Sequence, residues 1–307
     1  MPSAQSQDYP SVDVVIATHN RPQLLRTALD AVLGQTYRGT ITCIVVFDRS
    51  EPDLSLERDE GNRRVMVVTN ERSPGLAGAR NTGIGRGAGH LVGFCDDDDQ
   101  WLPTKLEQQV TTLQASDALT CVTGIIVEYE DRKVERVPTV DGVRLEALVR
   151  NRTMEAHPST VVVRRDALDK IGLVDEEIPG SYGEDFDWIL RAAATGAIAV
   201  VPQALVRVHW GSSLFSQKWQ TIADAIDYLI AKHPAFESDR RAMARLLGRR
   251  SFALASLGRR REALATARRA ITCWPGERRA YLAIAVGLKL VSSQRLMRLA
   301  HRRGHGI

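Results

Sequence analysis

Two acidic groups in the chain are placed to do chemistry. One is Asp96, Asp97, Asp98 and Asp99 in residues 94–101, F-C-D-D-D-D-Q-W; the other is Glu184, Asp185 and Asp187 in residues 178–187, I-P-G-S-Y-G-E-D-F-D. Four adjacent carboxylates repel one another by ~1 kcal/mol per close pair even in water. Something must offset that. A hard divalent cation, Mg²⁺ or Mn²⁺, would do so, because it favours carboxylate oxygens and completes its octahedron with waters and substrate phosphates. On an extended segment alternate side chains share a face, which pairs Asp96 with Asp98 and Asp97 with Asp99. A solvated acidic turn is the alternative. The context weighs against it: an apolar run, residues 90–95, enters the stretch and Trp101-Leu102-Pro103 closes it. That is the end of a buried strand, where α/β proteins place their ligands.

The elements that must position these groups follow from periodicity. Residues 12–17, 41–48 and 64–69 are β-branched runs that predict buried strands. Between the first two, Leu24, Leu25, Ala28, Leu29 and Val32 mark one helix face, with Pro22 in the first turn. Strand, helix, strand and strand again indicate a mostly parallel sheet with covering helices. Residues 73–83, S-P-G-L-A-G-A-R-N-T-G, form a loop entering a helix, and their glycines make neither a phosphate loop nor a dinucleotide fingerprint. A helix over 103–115 and a strand over 121–130 come next, with a polar turn at 132–138 and a helix over 140–150. After Ala156-His157-Pro158-Ser159 a strand is predicted at 160–163, then a helix at 165–171 ended by Gly172. The glycine-bearing loop 178–187 delivers its acids to an apolar helix, 188–195, stopped by Gly196. Residues 197–208 read as strands interrupted at Pro202. From Trp219 onward only helices are predicted, and 245–270 resembles one tetratricopeptide-type pair with Gly258 at its turn.

The chain of 307 residues is long enough for one large or two modest domains. Its four cysteines, Cys43, Cys95, Cys121 and Cys273, have no CxxC spacing and read as reduced thiols in a cytoplasmic protein. No signal segment is expected at residues 1–10, and no apolar stretch reaches the ~20 residues that cross a bilayer. The net charge of +4 hides a division: residues 1–239 hold 24 Lys and Arg against 35 Asp and Glu, whereas 240–307 hold 17 against 2. The basic part could lie peripherally on an anionic membrane, or neutralise the acidic part within the chain or across a homo-oligomer interface. Nucleic acid is not an expected partner, since the tail has no interleaved aromatics or recognised binding motif.

Five segments together carry a family resemblance: V-V-I-A-T-H-N-R-P, V-V-F-D, G-A-R-N-T-G, F-C-D-D-D-D-Q-W-L-P-x-K-L and G-E-D-F-D-W-I-L-R-A. In that order, over residues 12–213, the chain resembles the family-2 glycosyltransferases of GT-A fold. The resemblance implies a Rossmann-like, mostly parallel sheet flanked by helices in residues 1–215, with residues 216–307 as an all-α appendage. It also implies a nucleoside-diphosphate sugar held at the ends of the first two strands by Thr18, Asn20, Arg21 and Asp48. The family commonly has two aspartates then Gly-Ser after the second strand, whereas this chain has Phe47-Asp48-Arg49-Ser50. Gly78, Arg80 and Asn81 match the loop against the nucleotide; a glycine there allows close backbone approach, and Arg80 offers a fork to phosphate or to the neighbouring carboxylates. The D-x-D element falls on Asp96 and Asp98, with Asp98 as metal ligand and Asp96 toward ribose or sugar, and Asp97 and Asp99 leave the register open by one. Glu184-Asp185 matches the acidic pair whose aspartate is general base, and His209 matches a segment near the diphosphate as a further metal or phosphate contact.

These expectations describe a Mn²⁺- or Mg²⁺-dependent inverting transferase, hexosyltransferase-like, that moves a sugar to a hydroxyl of a glycan, a lipid-linked or a small-molecule acceptor. Two other classes use the same residues: a nucleotide-sugar-binding protein without turnover, and a metal-dependent nucleotidyltransferase, which would require a nucleoside triphosphate.

Overall fold

The computed structural model describes residues 9–129, 132–153, 155–209 and 218–302. Ten strands among the described residues form one sheet: β1 (Val12–Thr18), β2 (Ile41–Phe47), β3 (Arg58–Glu60), β4 (Arg63–Thr69), β5 (Leu91–Asp96), β6 (Asp99–Trp101), β7 (Thr120–Tyr129), β8 (Arg132–Arg136), β9 (Val162–Arg164) and β10 (Ile198–His209). Their order is β3-β4-β2-β1-β5-β9-β7-β10-β6, with β8 added on β7. β4, β2, β1 and β5 run parallel, and so do β7 and β10. The architecture is the expected mostly parallel α/β sheet of GT-A type. β1 and β2 are buried on nearly every residue, as strands covered on both faces must be, which is why they read as unbroken β-branched runs.

Register sets the site. Thr18 pairs with Phe47, Ala17 with Asp96 and Phe47 with Thr69. The carboxyl ends of β1, β2, β4 and β5 therefore lie along one edge, and the residues after them are brought together. Helix Pro22–Leu33 starts at this edge with Pro22 in its first turn and buries Leu25, Ala28, Leu29 and Val32. Leu24 was expected on that stripe but is 44% exposed, because it sits on its flank. Helix Leu76–Arg86 lies against β1 at Gly83, where a β-carbon would come 2.4 Å from Val15 Cγ1.

Several elements differ from expectation. Residues 132–136 form strand β8 and not a turn; they are charged and mostly exposed, so backbone pairing to β7 defines the strand and burial does not. β10 passes through Pro202 as one strand, with register shifts between Val200 and Ala204 that leave the proline out of the ladder. Helix Glu184–Thr195 starts four residues before Trp188, so Glu184, Asp185 and Asp187 are its first turn. Asp187 is fully buried and paired with Arg191 at 2.7 Å, a structural ion pair within that helix.

The chain divides into two compact units: Met1–Leu145, Thr153–Glu176 and Asp185–Trp210, which carry the sheet, and Glu146–Arg152, Glu177–Glu184 and Gly211–Ile307, which are helical. The cut expected between 215 and 216 lies outside the described residues. Segments 146–152 and 177–184 belong with the helices because their contacts are there: Arg150 pairs with Asp239 at 2.7 Å, and a β-carbon on Gly180 would meet Thr221 at 2.5 Å. Helices Arg240–Ser256 and Arg260–Cys273 are the expected pair. Gly258 ends the first at φ 78°, with its N–H on Ala255 and the Arg259 N–H on Leu254, a Schellman cap. Ala253, Ala263, Ala267, Ala270, Ala280 and Ala283 are fully buried, so small residues set the helix contacts. No helix among the described residues is long and apolar enough to cross a membrane. Cys43, Cys95 and Cys121 are buried free thiols.

Glu176 ties the loop before helix Leu76–Arg86 to the sheet-bearing unit. It accepts from Asn81 Nδ2 at 2.7 Å, from Arg72 Nε at 2.5 Å, and from the Ser73 N–H and hydroxyl. Burial pushes its pKa up, but these donors outweigh it and hold the carboxyl down to about 2. A depressed carboxylate stabilises the fold above its unfolded pKa, and that stability is lost as the pH falls through the folded value. Glu176→Gln is expected to cost on the order of 2 kcal/mol at pH 7 after allowance for partial exposure. In urea titrations the difference from wild type should shrink as pH falls from about 4.5 toward 2. A difference independent of pH would rule out the charge as its source.

Candidate active site

The four aspartates do not form one extended segment. Asp96 ends β5, Asp97 and Asp98 form a turn, and Asp99 opens β6. The alternate pairing expected of a strand is therefore replaced by two others. Asp97 and Asp98 share Arg21, whose Nη1 lies 3.0 Å from Asp97 Oδ1 and 2.8 Å from Asp98 Oδ2. Asp96 and Asp99 flank His157, with Nε2 4.0 Å from Asp96 Oδ2 and Nδ1 3.3 Å from Asp99 Oδ2.

Three of the four carboxylates have a donor of their own, and Asp98 has Arg21, which it shares with Asp97. The Thr18 hydroxyl, at the end of β1, donates to Asp97 Oδ2 at 2.8 Å. Arg80 is buried and donates to Asp96 Oδ1 at 2.6 Å, so of its two expected partners it takes the carboxylate. Ser159 donates to Asp99 Oδ2 at 2.5 Å and accepts the Asp96 N–H at 3.0 Å, bracing the two ends of the turn. Burial first, then the neighbouring carboxylates, raise the Asp97, Asp98 and Asp99 pKa values, Asp99 most. Arg21 and Thr18 oppose this at Asp97.

Beside the turn, Asp48 follows β2. It accepts from Asn70 Nδ2 at 2.8 Å, from the Gly75 N–H at 3.1 Å and from Arg49 Nε at 3.1 Å. Burial raises its pKa, but these donors win and the carboxyl stays ionised below its usual range. Asn20 is exposed at φ 54°, next to His19, whose Nδ1 lies 2.6 Å from the Asp48 carbonyl.

Two residues expected against the nucleotide have close neighbours within the chain. A β-carbon on Gly78 would come 2.0 Å from the Ser73 carbonyl oxygen, so the backbone that approaches this glycine is the chain's own. Asn81 is 2% exposed; its amide donates to the Val174 carbonyl and to Glu176 and accepts the Val174 N–H. His209 lies one residue beyond the Val208–Asp99 pair of β10 and β6, but its side chain meets Glu128, Nε2 to Oε2 3.4 Å. The Trp210–Ser213 segment after it lies outside the described residues.

Glu184 is buried and Asp185 half-buried in the first turn of helix Glu184–Thr195. The loop before it turns sharply, with Gly180, Ser181 and Gly183 all at positive φ. Within the sheet-bearing unit Trp188 packs edge-on to Phe94 at 5.9 Å and donates to the Gly172 carbonyl, which ties this helix to the end of β5.

The donor set suits a hard divalent cation. Asp96, Asp99 and His157 each offer a ligand atom within 4.8 Å of the others, and Asp98 lies on the open side of the same turn. Carboxylate oxygens with one imidazole are acceptable to Mn²⁺ or Mg²⁺.

The family model for glycosyl transferase family 2 matches residues 13–172, just over half of the chain. The chain belongs to glycosyl transferase family 2. It is 24% identical over 205 residues to the UDP-Glc:α-D-GlcNAc-diphosphoundecaprenol β-1,3-glucosyltransferase WfaP of Escherichia coli, covering 66% of this chain and 78% of that one. Among solved structures it resembles S. aureus TarS 1-349 in complex with UDP-GlcNAc, with a TM-score of 0.63, 17% identity, and 96% and 92% of the two chains covered. This chain spans about half, 53%, of the longer TarS chain. It also resembles the mannosyltransferase PcManGT from Pyrobaculum calidifontis in complex with GDP-Man and Mn²⁺, with a TM-score of 0.56, 18% identity, and 94% and 83% covered. At these identities the structures share its fold.

The motifs of this family-2 glycosyltransferase did not point to His157, Ser159, Asn70 or Glu176. Of these, the first two carried a signal, Ala156-His157-Pro158-Ser159 directly before a strand beside β5. Ser159 is fully buried, so Ser159→Ala strips a partner from the Asp99 carboxylate and another from the Asp96 N–H. The expected loss is about 2–3 kcal/mol of stability, read by chemical denaturation. A change under ~0.5 kcal/mol would mean that Ser159 does not brace the turn.

Proposed function

We propose that this family-2 glycosyltransferase is an inverting hexosyltransferase that moves a sugar from a nucleoside-diphosphate donor to an acceptor hydroxyl. The observation that carries this is the convergence of Thr18, Arg21, Asp48 and Asp96–Asp99 at the carboxyl edge of β1, β2 and β5. The donor lies along that edge: Asp48 and Asn20 toward the nucleoside, Asp96 and Asp97 toward ribose and sugar, and Arg21 beside the diphosphate. A Mg²⁺ or Mn²⁺ held by Asp98, with Asp96 or His157, would supply positive charge to the leaving diphosphate. Asp185 accepts the acceptor proton as its oxygen attacks, with Glu184 beside it in sequence, and no covalent sugar–enzyme intermediate is needed. UDP-glucose, UDP-GlcNAc and GDP-mannose are the donors to test first, and a sugar linked to lipid through diphosphate is the first acceptor, given the names of WfaP, TarS and PcManGT.

Two variants divide the work. Asp98→Ala is expected to abolish Mn²⁺-dependent donor binding and keep the fold, whereas Asp185→Asn keeps donor affinity and loses roughly 10²–10⁴ in kcat, the contribution of a positioned base. Calorimetry with donor and initial rates of nucleoside diphosphate release read the two. Cation-dependent binding that survives in Asp98→Ala but disappears in His157→Ala moves the metal to the Asp96–Asp99–His157 group. A kcat loss below tenfold in Asp185→Asn moves the base, with Glu184 the next candidate.

A cytoplasmic enzyme using a lipid-linked acceptor works at a membrane surface. The helical unit exposes Tyr281, Leu288 and Leu290 close in sequence to Arg278, Lys289 and Arg295. Each cation near an anionic bilayer contributes ~1 kcal/mol. The protein should sediment with phosphatidylglycerol vesicles at low salt and be released at moderate salt. If it stays in the supernatant at low salt, the charges serve an interface within the chain or between copies.

A further inference from the structure

Past the ends of β1 and β2 two residues are held in left-handed backbone although neither is glycine: Asn20 at φ 54° and Arg49 at φ 49°. Thr18 and Phe47 are register partners, so each of the two lies two residues beyond the same rung of the sheet. His19 Nδ1, 2.6 Å from the Asp48 carbonyl oxygen, ties the two turns together. A residue other than glycine keeps this conformation only where its surroundings impose it, and such residues gather where ligands are held. Burial does not impose it at Arg49, whose side chain is 63% exposed.

The contact that orients Arg49 is with Asp48. That carboxylate is 6% exposed; its Oδ1 accepts from Asn70 Nδ2 and from the Gly75 N–H, and its Oδ2 accepts from Arg49 Nε. An ionised carboxylate offers about four acceptor positions, so three of those on Asp48 are filled. Arg49 Nη1 and Nη2 have no partner among the described residues. The end of β2 therefore presents a planar fork of donors, aimed by Nε, where a carboxylate would present acceptors.

A base read by such a fork must offer two neighbouring acceptors. Guanine does so with O6 and N7, the commonest specific pairing of arginine with a base. Adenine sets an amino group beside N7, and uracil sets its two carbonyls on either side of an N–H. Cytosine pairs O2 with N3, but its O2 lies beside the glycosidic bond and is reached from the ribose, the place given above to Asp96 and Asp97.

We propose that Arg49 determines donor specificity and that its fork selects guanine, so that the donor is a guanosine diphosphate sugar. The base assignment rests on the placement of the nucleoside along β1 and β2 proposed above.

GDP, UDP, CDP and 7-deaza-GDP, which lacks the N7 acceptor, are titrated calorimetrically into the full chain with Mn²⁺. Wild type should bind GDP at least about tenfold more tightly than UDP or CDP, the discrimination of one bidentate pair, and 7-deaza-GDP at least about threefold more weakly than GDP. Glycine adopts the backbone of position 49 without strain, so Arg49→Gly should keep the fold. It should lose about tenfold in GDP affinity, less than about threefold in UDP affinity, and all distinction between GDP and its 7-deaza analogue. Arg49→Lys keeps the charge without the fork and should bind GDP no more tightly than UDP. If Arg49→Gly does not fold, Arg49→Lys and the 7-deaza comparison on wild type decide. GDP and UDP affinities that fall together in Arg49→Gly would assign Arg49 to the diphosphate and overturn the base assignment, as would a wild type that prefers UDP or CDP. Sugar transfer from UDP-sugars and from no GDP-sugar would keep the transferase and remove the guanine assignment. GDP binding that depends on Arg49, with no transfer from any donor, would do the reverse.

Discussion

Four carboxylates can share one short turn only if cations and hydrogen-bond donors are delivered to them, and the sheet-bearing unit is arranged to deliver them. At an effective dielectric of ~20, two unit charges 4 Å apart interact by ~4 kcal/mol, a large fraction of a domain's stability. The chain spreads this over separate elements: Thr18 from the end of β1, Arg21 from the start of the first helix, Arg80 from the second helix, and Ser159 and His157 from the segment before β9. Parallel register makes this feasible, because it places the ends of β1, β2 and β5 side by side.

The division between the two carboxylate pairs has a chemical consequence. Asp99 is almost fully buried and committed to Ser159 and His157, and Asp96 to Arg80, whereas Asp98 stands at the rim with an exchangeable partner in Arg21. The turn therefore has one partly exposed ion pair, Arg21–Asp98, over a buried floor.

What was legible in the sequence follows the same physics. β1 and β2 could be read because strands covered by helices must be apolar over consecutive residues, β4 was expected to be buried but buries only Val65 and Val67, and Gly258 and Pro22 mark helix ends by their own backbone restrictions. The turn inside the aspartate run could not, since four identical residues have no periodicity from which a reversal can be inferred. β3, β6 and β8 were also missed; they are short or exposed strands, held by pairing to a neighbour. Asn81 and Glu176 are 95 positions apart and Asp99 and Ser159 are 60 apart, so their partnerships belong to tertiary structure. At Gly78, expected against the nucleotide, the close neighbour that the fold supplies is the Ser73 carbonyl, which lies five residues back in the loop.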